Sequence, residues 1–284
     1  LCYAQAASYF DQAGGSYLYA REAFGPLVGF EVGWMLLLTR IASAAALSNG
    51  LADAVTHFWP AAAGGAVRLS IVAGSLLALT AINVVGVRSA ARTGVTLAIA
   101  KFVPLVLFIV IGAFYVDLSQ AAPLASGGIP LGNLAKGALL LLFAYAGFEN
   151  MPAAAAEYRN PKRDVPFAML AMIVIVTLTY VAVQWVALGT LPGLAESATP
   201  LADASARFAG LWLALVLTVG AAVSILGTNS NTLMFAPRYL LALAAAGVGP
   251  AAPARRRPPF RTPASAPLPL VVRSVLIASP GPLV

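Results

Sequence analysis

Six stretches of this sequence are apolar for about the length a helix needs to cross a bilayer, and nothing else in it restricts the fold as strongly. They run near 26–55, 67–87, 93–116, 134–156, 165–188 and 210–243. Backbone N–H and C=O groups in lipid must be bonded within their own segment, so a span takes about 20 mainly apolar residues in a helix. The first and last stretches are long enough to tilt or to continue past the hydrocarbon. With 60% of 284 residues hydrophobic and 10% charged, the chain has too little polar surface to cover a soluble core. The sequence specifies an all-α membrane protein, multi-pass in the cell membrane, with the bilayer as its solvent.

Loop cations set the orientation. If the six spans alternate, Arg21, Arg88, Arg92, Arg159, Lys162, Arg163, Arg238, Arg255, Arg256, Arg257 and Arg261 fall on one side, and Arg68, Lys136 and Arg207 on the other. Eleven against three is a strong positive-inside asymmetry. It makes the loops 88–92 and 157–164 cytoplasmic, together with 11–21 and everything after Arg238, and turns 190–208 outward. The net charge of +7 is scattered among apolar runs, which fits loop orientation and not nucleic-acid binding. One cysteine, Cys2, and one histidine, His57, exclude an internal disulfide and a metal cluster. No metal, cofactor or catalytic residue is expected. A membrane enzyme would need a nucleophile–base pair or ligand set that these residues do not supply, and no filter motif or charge ring points to a channel.

The interior of the spans carries four ionisable residues: Glu31, Arg40, Lys101 and Glu149. A charge at membrane depth costs several kcal/mol unless it faces protein, water or substrate. Glu31 and Arg40 stand on opposite sides of one helix and are not partners; Glu31 reads as a carboxylate near the cytoplasmic interface. Arg40, deeper, either pairs with a carbonyl or neighbouring helix, or snorkels or lines a pathway. Lys101 braces helices, finds carbonyl and hydroxyl acceptors, or loses its charge on burial. Glu149 follows Gly147 and precedes Pro152, two helix-weakening residues. Such a break is either a proline kink or a substrate site with backbone groups turned to a cavity. Asn229, Ser230 and Asn231 place hydrogen-bonding side chains inside the last span, as helix glue or as a polar site.

The run from Phe143 through Gly147 and Glu149 to Asn160-Pro161-Lys162-Arg163-Asp164-Val165-Pro166 resembles the sixth helix and following loop of amino acid–polyamine–organocation (APC) permeases. Ala13–Trp34, Ile82–Leu105 and Asn229–Pro250 resemble, in collinear order, the entry to helix three, the end of helix four with helix five, and the end of helix eight. The resemblance implies a partial LeuT-like inverted-repeat bundle, about six transmembrane helices plus the end of another. It implies a secondary transporter of amino acids or related amines working by alternating access, sodium-independent, and proton-linked or exchanging. By motif position, Phe143 is the aromatic lid. Ala144, Tyr145, Ala146, Gly147 and Phe148 form the unwound substrate-binding segment, where a side chain at position 147 would crowd the substrate. Glu149 is a gating or proton-linked carboxylate, Lys101 stands where other members hold sodium, and Asn229 and Ser230 are cation-site-like polar residues. The implied partners are an amino acid substrate, the lipid bilayer and protons.

Residues 1–250 correspond to the transmembrane domain and 251–284 to an irregular tail rich in Pro and Arg, which after 263 loses the family's pattern as a frameshift would make it do. The family's first helix and helices nine to twelve have no counterpart, so the chain is expected to be truncated at both ends. The alternative to a permease is accordingly a non-transporting membrane fragment whose helices serve only packing or a scaffold role.

Overall fold

The computed structural model describes residues 1–12, 14–56, 58–85, 87–121 and 131–247, and the backbone of 256–257 and 262–263; the side chains of 85, 87, 88, 121, 143, 156 and 157 lie outside that description. Ten α-helices follow in chain order among these residues. They are α1 (Cys2–Tyr9), α2 (Ser16–Phe24), α3 (Pro26–Thr56), α4 (Gly65–Val85), α5 (Val87–Gly112), α6 (Leu118–Ala121), α7 (Leu131–Tyr145), α8 (Pro161–Thr190), α9 (Pro200–Phe208) and α10 (Leu211–Ala245). Short 3-10 turns join several of them, and Arg256–Arg257 pairs antiparallel with Thr262–Pro263. The remainder of the expected irregular tail lies outside the described residues.

Five helices are long and apolar enough to cross a membrane: α3, α4, α5, α8 and α10. The expected fourth span, 134–156, is different in kind. α7 has 15 residues, about 22 Å of helix, which falls short of a hydrocarbon core of about 30 Å. The chain continues past it as a 3-10 helix, Phe148–Glu157, so this segment covers its depth in two unlike pieces. A second departure concerns the expected loop 88–92. These residues form the first turns of α5, because Ala and Arg favour helix and only position 86 separates α5 from α4. The expected loop 157–164 narrows to Tyr158–Asn160. Pro161 opens α8, where a missing N–H costs nothing, and the Asp164 carboxylate accepts the Asn160 N–H at 3.2 Å.

α3 and α10 form an antiparallel pair at the centre. Asn229 meets Ser48, Ala236 and Leu240 pack on Leu37 and Ile41, and a Cβ added to Gly33 would fall 2.9 Å from Leu243. α4 closes one flank through Val72, Leu76 and Leu79 against Ala44, Ala45 and Leu233. α5 packs on the other side of α10 through a stripe of close approaches. A Cβ at Gly220 would lie 2.7 Å from the Pro104 ring, and one at Gly227 would lie 3.2 Å from Leu97 Cβ. Small residues let two backbones approach in lipid, where dispersion and not water release holds helices together.

The helix ends sort into two groups, as alternating spans require. At one end Phe208 packs on Phe108 and stacks on Tyr115, and the Asp117 N–H donates to the Gly189 carbonyl at 2.9 Å. At the other end Tyr17 packs with Ala242 and Leu243, while Ala7 packs with Val165 and Met169. The starts of α3 and α8 therefore share an end with the finish of α10, and the charge asymmetry labels that end cytoplasmic.

Candidate functional site

The interruption of the fourth apolar stretch is narrow. α7 stays helical through Tyr145, only Ala146 and Gly147 lie outside a helix, and Phe148 begins the 3-10 segment. Ala144 and Tyr145 are thus helical and not unwound as expected. Gly147 has φ +122° and ψ −23°, a backbone conformation that L side chains rarely adopt. A Cβ there would meet nothing within 4 Å, so within this chain the glycine is required by its φ and not by crowding.

Groups from three other helices hold the two sides of the break. The Tyr180 hydroxyl of α8 donates to the Ala144 carbonyl at 3.0 Å, and Tyr145 donates to Thr177 Oγ1 at 2.9 Å. α8 thereby holds a carbonyl that the end of α7 leaves without a helical partner. Beyond the break, Glu149 folds back: its Oε2 accepts the Gly147 N–H at 2.7 Å, and its Oε1 accepts Asn150 Nδ2 at 3.2 Å. Asn150 also donates to the Gly147 carbonyl at 3.1 Å, and its own Oδ1 accepts the buried Tyr239 hydroxyl of α10 at 3.1 Å. Arg40, halfway along α3, brings Nη2 to 3.6 Å from Glu149 Oε1, with the two side chains 13% and 17% exposed. The break is therefore fastened to α3 through charge, to α10 through a neutral hydrogen bond and to α8 through its tyrosines.

The N-terminal helices complete the surroundings. Tyr3 of α1 sits edge-on to Phe148 and to Tyr19, and its hydroxyl shares a 2.9 Å hydrogen bond with Ser16. Burial, with Tyr3 beside it, pushes the Tyr19 phenol up to about 12, so it stays neutral at physiological pH.

The remaining expected site residues fall in three places. Phe143 lies in α7 and its side chain is outside the described residues. Asn229 and Ser230 are each 1% exposed in α10, Asn229 in its seam with α3. Asn229 Nδ2 donates to Ser48 Oγ at 2.8 Å, and Ser48 spends its proton on the Ala44 carbonyl. That leaves Asn229 Oδ1 buried without a partner among the described residues. Lys101 is half-buried in α5. Gly94, Leu97, Lys101, Pro104 and Phe108 follow at steps of three and four, and their contacts place this face against α10. Lys101 makes no hydrogen bond or ion pair among the described residues, so the charged neighbour of Glu149 is Arg40. Asn150 and Tyr239 were not legible as site residues, since neither carries a charge nor breaks a helix. Each is a single polar group in an apolar run, and that was the available signal.

The broad apolar hollow along α5, about 540 Å³ and lined by Val95, Ile99, Phe102 and Val106, includes none of the break's residues in its lining.

Fold and site together define a multi-spanning helical membrane protein with a charged, hydrogen-bonded break in one of its apolar segments. The chain belongs to the amino acid permease family of the APC superfamily, whose model matches residues 1–279. It is 29% identical over 278 residues to the chloroplastic cationic amino acid transporter 9 of Arabidopsis thaliana, covering 91% of this chain and 48% of that protein. It is 27% identical over 277 residues to the methylthioribose transporter of Bacillus subtilis, covering 92% and 60%. With the branched-chain amino acid permease of the same bacterium it shares 26% over 301 residues, covering 100% and 64%. The chain spans about half the length of the curated relatives it matches first. These relatives bear the names of transporters and permeases, not of enzymes.

Proposed function

We propose that these residues belong to a secondary permease that moves amino acids or related amines by alternating access, with substrate held at the Gly147 break. The observation that carries the reading is the break itself: a glycine at φ +122° inside an apolar stretch, beside a Glu149–Arg40 pair enclosed by helices. A charged pair at membrane depth is costly, and broken spans in transporters turn backbone donors and acceptors toward a ligand. The relatives' names support the substrate class while spreading it over cationic amino acids, branched-chain amino acids and a thiosugar.

In this reading the described helices are part of a LeuT-like inverted repeat. Phe143 closes over the ligand, Ala146 and Gly147 offer backbone groups, and Glu149 gates or senses protons. Lys101 supplies a cation against α10, so transport is sodium-independent and proton-linked or exchanging. Asn229, whose Oδ1 has no partner among the described residues, and its buried neighbour Ser230 form a second polar position in α10.

The test is uptake of labelled amino acids and amines into proteoliposomes, with sodium replaced by choline and with an imposed proton gradient. Saturable, stereoselective uptake that survives sodium removal and is lost in Gly147→Leu is the expected result. Absence of uptake by folded, inserted protein would favour the packing-only alternative.

A further inference from the structure

The one acid that the described residues place beside the break is already engaged. Glu31 is exposed near the start of α3, and Asp53, near its end, pairs with Arg68 at 2.8 Å. That leaves Glu149, whose Oε2 accepts the Gly147 N–H at 2.7 Å and whose Oε1 accepts Asn150 Nδ2 at 3.2 Å. Asn150 is itself pinned, since its Oδ1 accepts the buried Tyr239 hydroxyl at 3.1 Å. Arg40 Nη2 stands 3.6 Å from Glu149 Oε1, longer than an ordinary hydrogen bond but close enough to be its counter-charge, and both side chains are largely buried. Among the described residues, the break therefore carries a matched pair of charges and no carboxylate free to meet a further cation.

We propose that Arg40 sets the side-chain selectivity of the permease site: as the built-in counter-ion of Glu149 it keeps out ligands with a cationic side chain and leaves the site to amino acids whose side chains are uncharged. This rests on the permease reading and narrows the substrate class stated there. The N–H that Glu149 accepts is that of Gly147, so a ligand held at the break lies beside the Arg40–Glu149 pair. An amino acid with an uncharged side chain brings an ammonium and a carboxylate that cancel, and the site stays balanced. A ligand like lysine or arginine brings one more positive charge. It must either take Glu149 from Arg40, leaving that guanidinium without a partner, or stand unpaired itself. In both cases one cation is left uncompensated where water screens weakly. Glu149 also cannot turn to such a ligand without releasing the Gly147 N–H, the donor at the turn of the break.

Ligand pairs that differ chiefly in side-chain charge test this: L-norleucine against L-lysine, and L-citrulline against L-arginine. Binding of each to the protein in nanodiscs is measured by scintillation proximity for wild type, Arg40→Lys, Arg40→Met, Glu149→Gln and the double variant Arg40→Met/Glu149→Gln. Wild type should prefer the uncharged member by about tenfold or more, the order expected of one uncompensated charge. Arg40→Lys keeps the counter-ion and should keep the preference. Arg40→Met frees Glu149 and should reverse it, and adding Glu149→Gln to that variant should remove the gain of cationic ligands. If Arg40→Met is not recovered folded, Glu149→Gln decides: it leaves Arg40 unopposed and should widen the discrimination against lysine and arginine. A wild type that binds the cationic member as well as the uncharged one overturns the proposal while the permease reading stands. So does a preference that neither Arg40→Met nor Glu149→Gln moves, which would mean that the pair serves only to hold the helices. A wild type that binds none of the four removes the amino acid reading and this assignment with it.

Discussion

At the scale of single residues, the break depends on one backbone angle and one buried hydroxyl. Gly147 at φ +122° can be replaced by an L residue only with strain, although open space lies beside it. We predict that Gly147→Ala costs about 1–3 kcal/mol, a strain cost and not a steric one. Thermal unfolding in detergent should show Gly147→Ala and Gly147→Leu destabilised to a similar extent; a much larger loss for leucine would mean that crowding decides. Tyr239 donates its buried hydroxyl to Asn150 Oδ1 across the α10 boundary. Tyr239→Phe keeps the ring and removes that bond, for an expected loss of about 0.5–2 kcal/mol by the same assay. Glu149 and Arg40 could each be recognised from the sequence as a charge needing a partner. That they face each other could not, because they are far apart in the chain and only the packing of α3 against the break brings them within 3.6 Å.

At the scale of elements, α5 and α10 show how small residues set a helix interface. Pro104 fits into the space left by Gly220, and Leu97 into that left by Gly227. We predict that Gly220→Leu overpacks this seam and destabilises the bundle by about 1–3 kcal/mol, with milder loss for Gly220→Ala. Equal stability of all three proteins in a denaturant titration would show that the seam yields. Lys101 occupies the same face of α5, between Leu97 and Pro104, and the proposed permease reading gives it the place of a sodium ion. Uptake by the permease should be indifferent to sodium and should fall at least tenfold in Lys101→Ala at unchanged expression; sodium-dependent uptake that persists in the variant would end that assignment. α7 behaves unlike the other apolar segments. Its leucines, from Leu139 to Leu142, are largely exposed, and its hold on the bundle comes at its end, through Tyr145, Tyr180 and the Glu149 turn. Hydropathy counts apolar residues without registering where the helix stops, so an interrupted span of normal length and a short helix followed by a 3-10 turn read alike.

At the scale of the whole molecule, the two clusters of helix ends make the topology testable. Lys162→Cys and Ala198→Cys, each in a Cys2→Ala background, put an exposed thiol at opposite ends of α8. Membrane-impermeant maleimide should label the second from outside and the first only after permeabilisation; labelling of both from one side would overturn the orientation. Much of this architecture was present in the chain's chemistry. Long apolar runs can only be helices in lipid, cation-rich loops can be assigned to one side, and a Gly–Glu–Pro sequence inside such a run marks a break whatever surrounds it. Those inferences hold because each depends on a segment and its solvent alone. Which helices touch was decided only by tertiary packing: α3 lies on α10 because Gly33, Ser48 and Asn229 let them close, and Arg40 therefore reaches Glu149. The partner of a buried charge is a matter of distance across the bundle, and spacing along one chain does not encode it.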